Sequence, residues 1–272
     1  MTTLRDCFDM VVFDWAGTMV DFGSRAPVLA LMEAFAVLGV PVSEAEARRD
    51  MGRAKADHVR ALFEQPRVAG AWEATHGTAP DPGAVQRVMA ELQAPMIRLA
   101  EETADLIPGA AATTAHLRGL GLRIGSCTGY TREMMHAVLP RAADQGYAPD
   151  LVVCAHETPQ GRPSPLMIYK ACADLGVWPL SRVIKVDDAE VGIAEGRNAG
   201  CFTVGVAASG NMLGVTAQVL NDLDPAARAA LLEDAAGRLY AAGADVVIDT
   251  VADLIPALEA EAARRGGSIA RG

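Results

Sequence analysis

The sequence predicts an α/β fold: a Rossmann-like, mostly parallel sheet core with an all-helical domain inserted after the first strand. Three observations predict it. Six short apolar runs recur along the 272 residues, helical patterns separate them, and the alternation lapses between Phe22 and about Ala100, where only helix signals appear. Strands alternating with helices imply a parallel sheet covered on both faces. The expected division is a core of residues 1–22 and 100–272 and a helical cap of residues 23–99.

The first strand runs from Met10 to Asp14, an apolar β-branched run ending in a carboxylate. In the insertion, Pro27 to Leu38 is apolar and stops at Gly39, and Ser43 followed by Glu46 has the spacing of a capping box. A further helix is expected from Asp50 to Phe63. Pro66, the Gly77 to Gly83 turn cluster and Pro95 then punctuate helices around Val85 to Leu92 and Met96 to Glu102. Pro108-Gly109 marks the return to the core. The remaining strands are expected at Leu122 to Thr128, Leu151 to Ala155, Val183 to Asp188, Phe202 to Val206 and Val246 to Ile248. A helix pattern starts at Pro165 and runs to Gly176, and the Ala-rich stretch from Ala226 to Ala242 reads as ordinary helix.

Composition narrows the function. A hydrophobic content of 51% supports a large core, and a net charge of -10 argues against a nucleic-acid partner, which needs a basic surface. The five cysteines are scattered without a Cys-x-x-Cys pair, so neither disulfides nor a zinc site is expected and reduced thiols in the cytoplasm are the simpler reading. Met1 to Met10 does not resemble a signal peptide, and the absence of an 18-residue apolar run leaves no membrane partner expected.

Chemistry is expected at the strand ends, where open α/β sheets place ligands. Asp14 is a potential nucleophile, but Ala16, two residues on, donates no proton. Asp187-Asp188 ends the fourth strand, so two strand ends can aim carboxylates at one cation; alone, such a dipeptide is more often a solvated turn. Thr128 and Gly129 offer a hydroxyl and turn amides to phosphate oxygens, although a strand-to-helix turn capped by Thr131 explains them equally. Arg162 can pair bidentately with a phosphoryl group, where the default is a surface arginine.

These four segments, in this order, resemble the motifs of the haloacid dehalogenase superfamily, whose aspartate attacks phosphorus or carbon. Most of its phosphatases carry a second aspartate where Ala16 stands. The resemblance narrows at Met51-Gly52-Arg53-Ala54-Lys55-Ala56-Asp57-His58-Val59-Arg60-Ala61-Leu62, together with Phe13-Asp14-Trp15-Ala16-Gly17-Thr18, Gly129-Tyr130-Thr131-Arg132-Glu133-Met134-Met135, Gly161-Arg162-Pro163 and Glu195-Gly196-Arg197-Asn198-Ala199-Gly200. Together these are similar to the phosphonoacetaldehyde hydrolases, or phosphonatases. Lys55 is one of three lysines in an arginine-rich chain. By composition it is a solvated helix lysine; by resemblance it forms an imine, which arginine cannot do. Met51, Lys55, His58 and Val59 are expected on one helical face, with His58 exchanging protons near the lysine nitrogen. Arg53 and Arg60 are the cations expected to favour its neutral form.

The resemblance implies hydrolysis of a small phosphonate by two residues, Asp14 as nucleophile and Lys55 as imine former, supported by Met51, His58, Thr128, Gly129, Tyr130 and Arg162. It implies Mg²⁺ held by Asp14, the Ala16 carbonyl and Asp188, with Asp187 as the alternative ligand. It also implies a homodimer joined through the cap domains. Two departures stand out: Ser24 lies where some relatives carry cysteine, and Gly192 where another form of the fourth motif carries aspartate. The competing readings are a haloacid dehalogenase, a phosphatase of the same superfamily and a catalytically silent phospho-ligand binding protein.

Overall fold

The computed structural model describes residues 3–51 and 53–269, so Gly52 of the motif around Lys55 lies outside the described residues. A short helix α1 (Leu4–Cys7) precedes β1 (Met10–Phe13), and five helices follow: α2 (Ala26–Val37), α3 (Glu44–Arg48), α4 (Lys55–Glu64), α5 (Pro66–His76) and α6 (Pro82–Glu102). The chain then returns through α7 (Ala110–Gly119), β2 (Arg123–Cys127), α8 (Arg132–Asp144), β3 (Leu151–Val153), α9 (Leu166–Leu175) and β4 (Val183–Asp187). It ends in α10 (Glu190–Ala199), β5 (Phe202–Val206), α11 (Ala217–Asp222), α12 (Pro225–Ala242), β6 (Val246–Ile248) and α13 (Leu254–Ile269).

The strands form one parallel sheet in the order β3-β2-β1-β4-β5-β6, which is the α/β core expected. Parallel strands covered on both faces are largely apolar, and β1, β4 and β5 are buried at every position, including Lys185 and Asp187 on β4. The chain reverses its direction of strand addition between β1 and β4, and such a switch opens a crevice at the carboxyl ends of the strands. Phe13 is level with Ser126 on one side and Val186 on the other, so Asp14 emerges beside both Cys127 and Asp187. Phe13 and Trp15 pack on Tyr147, with ring centroids at 6.3 and 4.9 Å, and hold the end of β1 from below.

The apolar residues of the insertion pack continuously with the main core. Phe63 lies between Phe35 and Trp72 at 5.4 and 4.9 Å, and Ser43 and Glu46 form the expected capping box of α3. Two helix boundaries differ from expectation. The run from Asp50 to Phe63 becomes helical only at Lys55, because a turn separates α3 from α4. The segments around Val85 and Met96 are one helix, α6, with Pro95 inside it. Buried Val88, Leu92, Met96 and Leu99 continue a single apolar stripe through the proline, and tertiary burial outweighs the lost main-chain hydrogen bond. Among the described residues no helix is long and apolar enough to cross a membrane.

Pro95 therefore sits in α6 at a conformational cost. Pro95→Ala is expected to stabilise the fold by about 2 kcal/mol, from the roughly 3 kcal/mol helix penalty of proline less its effect on the unfolded chain. Chemical denaturation checks this, and an unchanged or lower midpoint contradicts it.

Candidate active site

Asp14 is positioned by the sheet: its amide donates to the Val186 carbonyl at 3.0 Å, and its side chain is buried. The loop after it folds back tightly, with the Met19 amide bonded to Trp15 O at 2.8 Å and the Gly17 carbonyl held by Ser209 Oγ at 2.7 Å. Gly17 has φ +82°, and a Cβ there would fall 2.2 Å from Asp188 Oδ2. Only glycine suits both the left-handed backbone and that close approach.

Asp187 and Asp188 leave β4 in different roles. Asp187 Oδ1 accepts the Ala189 amide at 3.0 Å, and its carboxylate packs against helix α10, where a Cβ on Gly192 would lie 2.1 Å from Asp187 Cγ. The glycine makes room for that carboxylate. Asp188 Oδ2 accepts the Asn211 amide at 2.7 Å. One oxygen from each of Asp14, Asp187 and Asp188 falls within 4.8 Å of the others, a group that could hold a metal ion.

Arg162 ties these parts together. Its Nη2 lies 2.7 Å from Asp14 Oδ1 and 3.3 Å from Asp187 Oδ2, and also donates to the Cys127 carbonyl at 2.6 Å. Its Nε donates to Glu195 Oε2 at 3.0 Å. Lys185 Nζ is 2.9 Å from Asp187 and 3.3 Å from Glu195. All of these side chains are buried, so the guanidinium is fixed by partners on β2, β4 and α10.

The electrostatics separate the carboxylates. Burial, reinforced by the charge of Asp187, pushes Asp14 up to about 6 against the pull of Arg162 and Lys185. Burial opposes ionisation of Asp187 too, but Arg162, Lys185 and the Ala189 amide outweigh it and hold that carboxyl below its ordinary value. Asp188 is raised well above the carboxylate range by burial and by the charges of Asp14 and Asp187, with only the Asn211 amide and a weaker pull from Arg162 opposing. A carboxyl group in that position lacks a close cationic partner, and a hard divalent cation with oxygen ligands would supply one. Among the described residues no main-chain amide donates to the Ala16 carbonyl, which leaves a further oxygen for such an ion.

Lys55 approaches from the insertion. It is the first residue of α4, 6% exposed, with Nζ 6.0 Å from the centroid of the Tyr130 ring. Burial lowers its ammonium to about 8, opposed by Asp14 and assisted by Arg162. The cation acting on it is thus Arg162 from the core, not the expected Arg53 or Arg60, which pair with Asp50 and Asp57. Thr128 turns the chain after β2: its amide donates to Val153 O at 3.0 Å and its Oγ1 accepts the Tyr130 amide at 3.1 Å.

Asp14, Ala16, Met51, Lys55, Thr128, Gly129, Tyr130, Arg162 and Asp188 line one cavity of about 40 Å³, together with Ser24 and Asn211. Met51 reaches it from the turn before α4 rather than from the helix face expected. Asp187 and His58 do not line it. The Nε2 of His58 meets the Ala47 carbonyl at 2.8 Å while Nδ1 has no partner, and burial, then the charge of Lys55, lowers its pKa to about 3. Its ring is neutral and ties α4 to α3, with no hydrogen bond to Lys55. Sequence reasoning quoted Glu195 within a motif without giving it a role, and Lys185, Asn211 and Arg48 carried no motif at all.

Known proteins resemble this chain over most of its length. The family model for haloacid dehalogenase-like hydrolases matches residues 8–200. A phosphonoacetaldehyde hydrolase of Paraburkholderia xenovorans is 48% identical over 93% of this chain and 96% of its own length. A phosphonoacetaldehyde hydrolase of Bacillus cereus is 41% identical over 92% and 95%. The crystal structure of a phosphonoacetaldehyde hydrolase-like protein from Oleispira antarctica superimposes with a TM-score of 0.93 at 38% identity, covering 95% of this chain and 94% of that one. Matched over most of its length by these relatives and by the family model, this chain belongs to the phosphonoacetaldehyde hydrolase family of the haloacid dehalogenase-like hydrolases.

Proposed function

We propose that this protein hydrolyses the carbon–phosphorus bond of phosphonoacetaldehyde to acetaldehyde and phosphate, with Lys55 and Asp14 dividing the reaction. The observation that carries this is a buried, weakly basic lysine sharing one small cavity with a strand-end aspartate. Cleaving carbon from phosphorus expels a carbanion, which needs an electron sink rather than a proton donor. The Lys55 amine adds to the aldehyde carbon and water leaves, giving a protonated imine. An Asp14 oxygen then attacks phosphorus, and the carbon–phosphorus bond electrons form the enamine double bond as the iminium nitrogen becomes neutral. Protonation and hydrolysis of the enamine release acetaldehyde and restore Lys55, and water hydrolyses the aspartyl phosphate.

Each part of the site supports a stage. Arg162 favours the ionised form of Asp14 and is near enough to share its charge with an incoming phosphonate. The Thr128 hydroxyl and the Gly129 amide are available to anionic oxygens, while the Tyr130 amide donates to Thr128 Oγ1. Asp14, the Ala16 carbonyl and Asp188 fit Mg²⁺, because Asp187 is already held by Lys185 and Arg162 while Asp188 meets only an amide directly. When bound, Mg²⁺ supplies positive charge beside the nucleophile and the phosphoryl oxygens. The five free, buried cysteines suit a reducing cytoplasm. A homodimer joined through the helical insertion belongs to the same reading.

Incubation with phosphonoacetaldehyde and Mg²⁺ should release acetaldehyde and phosphate in equal amounts, and release of neither product contradicts the function. Lys55→Arg keeps the charge and removes imine chemistry, so kcat should fall by about 10³-fold or more. Because the amine must be neutral to attack and burial lowers its pKa from 10.5 to about 8, kcat/KM should rise with pH through about 8 and then level. A profile flat across that range contradicts this role. Ala16→Asp restores an acid with no alkoxide to protonate, so phosphonate cleavage should not increase; a faster variant overturns the division of labour.

A further inference from the structure

One arginine of the insertion bonds to several separate segments at its junction with the core. Arg48, the last residue of α3, has a side chain only 13% exposed. Its Nη1 donates to the Gly23 carbonyl at 3.0 Å and to Asn211 Oδ1 at 3.1 Å, and its Nη2 donates to the Gly214 carbonyl at 2.9 Å. Glu44 holds the guanidinium from behind, accepting from Nε and Nη2 at 3.0 and 2.7 Å. Gly23 lies where the chain leaves the core, and Asn211 and Gly214 lie in the loop after β5. The space is reserved for this group: Gly214 has φ +66°, and a Cβ there would fall 2.4 Å from Arg48 Cζ.

Asn211 carries the contact into the active site, because its amide is the one that donates to Asp188 at 2.7 Å. A single residue therefore separates Arg48 from the acidic cluster. The catalytic cavity of about 40 Å³ has room for about three waters, too little for a molecule carrying both an aldehyde and a phosphonate. Insertion and core must part to admit such a substrate and meet again before chemistry.

We propose that Arg48 is a positioning residue of the closed state, docking α3 on the 209–214 loop and, through Asn211, fixing Asp188 as Lys55 is brought over Asp14. Planar donors reaching carbonyls of separate segments suit arginine and not lysine, whose ammonium is a point charge. The proposal deepens the phosphonatase reading, but its structural arm stands independently of the substrate. Without the docking, Lys55 at the start of the next helix regains water. The titratable and charged groups facing it, Asp14, Asp188 and Arg162 of the core, Tyr130 at its side, Arg53 in the preceding turn and His58 on its own helix, are unsubstituted in every variant named below.

The test is competitive amine labelling of Lys55 across pH in the full-length protein, with exposed Lys170 as internal reference. In Arg48→Ala the Lys55 titration should move up by about one unit or more towards the ordinary 10.5, and kcat on phosphonoacetaldehyde should fall about 10-fold or more. Arg48→Lys should fall between the two. Gly214→Ala, which puts a methyl where the guanidinium lies, should repeat the shift with the arginine retained, and it serves if Arg48→Ala does not fold. A folded Arg48→Ala or Gly214→Ala protein with the wild-type Lys55 titration and kcat within twofold of wild type overturns the proposal. If wild-type protein fails to cleave phosphonoacetaldehyde, the functional reading falls while the labelling result still decides the role of Arg48.

Discussion

The site depends on one guanidinium. Arg162 lies where the ends of β1, β2 and β4 converge, 2.7 Å from Asp14 and 3.0 Å from Glu195, and it makes a cluster of buried carboxylates compatible with folding. A buried charge network of this kind is a poor source of stability, since desolvation offsets most of the attraction. Its value is positional. Glu195, itself paired with Lys185, holds the guanidinium so that one nitrogen faces Asp14, and neither residue lines the cavity. The close packing of α10 on β4, allowed by Gly192, brings Glu195 into range.

The acids inherit distinct tasks from that arrangement. Asp187 is consumed by the network, Asp188 is left with an amide and a surplus of neighbouring negative charge, and Asp14 stands between them. This asymmetry is why the two adjacent aspartates are not interchangeable. It also places the acidic cluster opposite Lys55, whose reduced basicity comes from burial between insertion and core and from Arg162. The same arginine thus eases ionisation of Asp14 and deprotonation of the Lys55 amine.

Much of this was legible in the sequence, for physical reasons. Buried parallel strands are largely apolar along their length, so all six were visible as short runs, and Asp14, Thr128 and Asp188 stood out as polar residues at their ends. Lys55 was conspicuous by resemblance and by the scarcity of lysine. What was hidden depends on distance in sequence. Nothing local to Asn211 announces that its main-chain amide meets Asp188, and Arg48 reads as one of many arginines until Gly23 and Gly214 come to lie beside it. The start of α4 was misplaced because helical spacing persists through the turn before Lys55. Pro95 was read as a break because local propensity favours one, whereas the apolar stripe from Val88 to Leu99 is satisfied only by a continuous helix.

The central claim is that Lys55 holds the carbon skeleton while Asp14 takes the phosphoryl group. Borohydride reduction during incubation with phosphonoacetaldehyde, followed by peptide mass analysis of wild-type protein and Asp14→Asn, tests it most directly. The account predicts a reduced adduct on Lys55 in both: largely ethyl in wild type, where phosphorus has departed, and phosphonoethyl in Asp14→Asn, where it has not. An unmodified Lys55, or an ethyl adduct formed equally well without the Asp14 carboxylate, would contradict it.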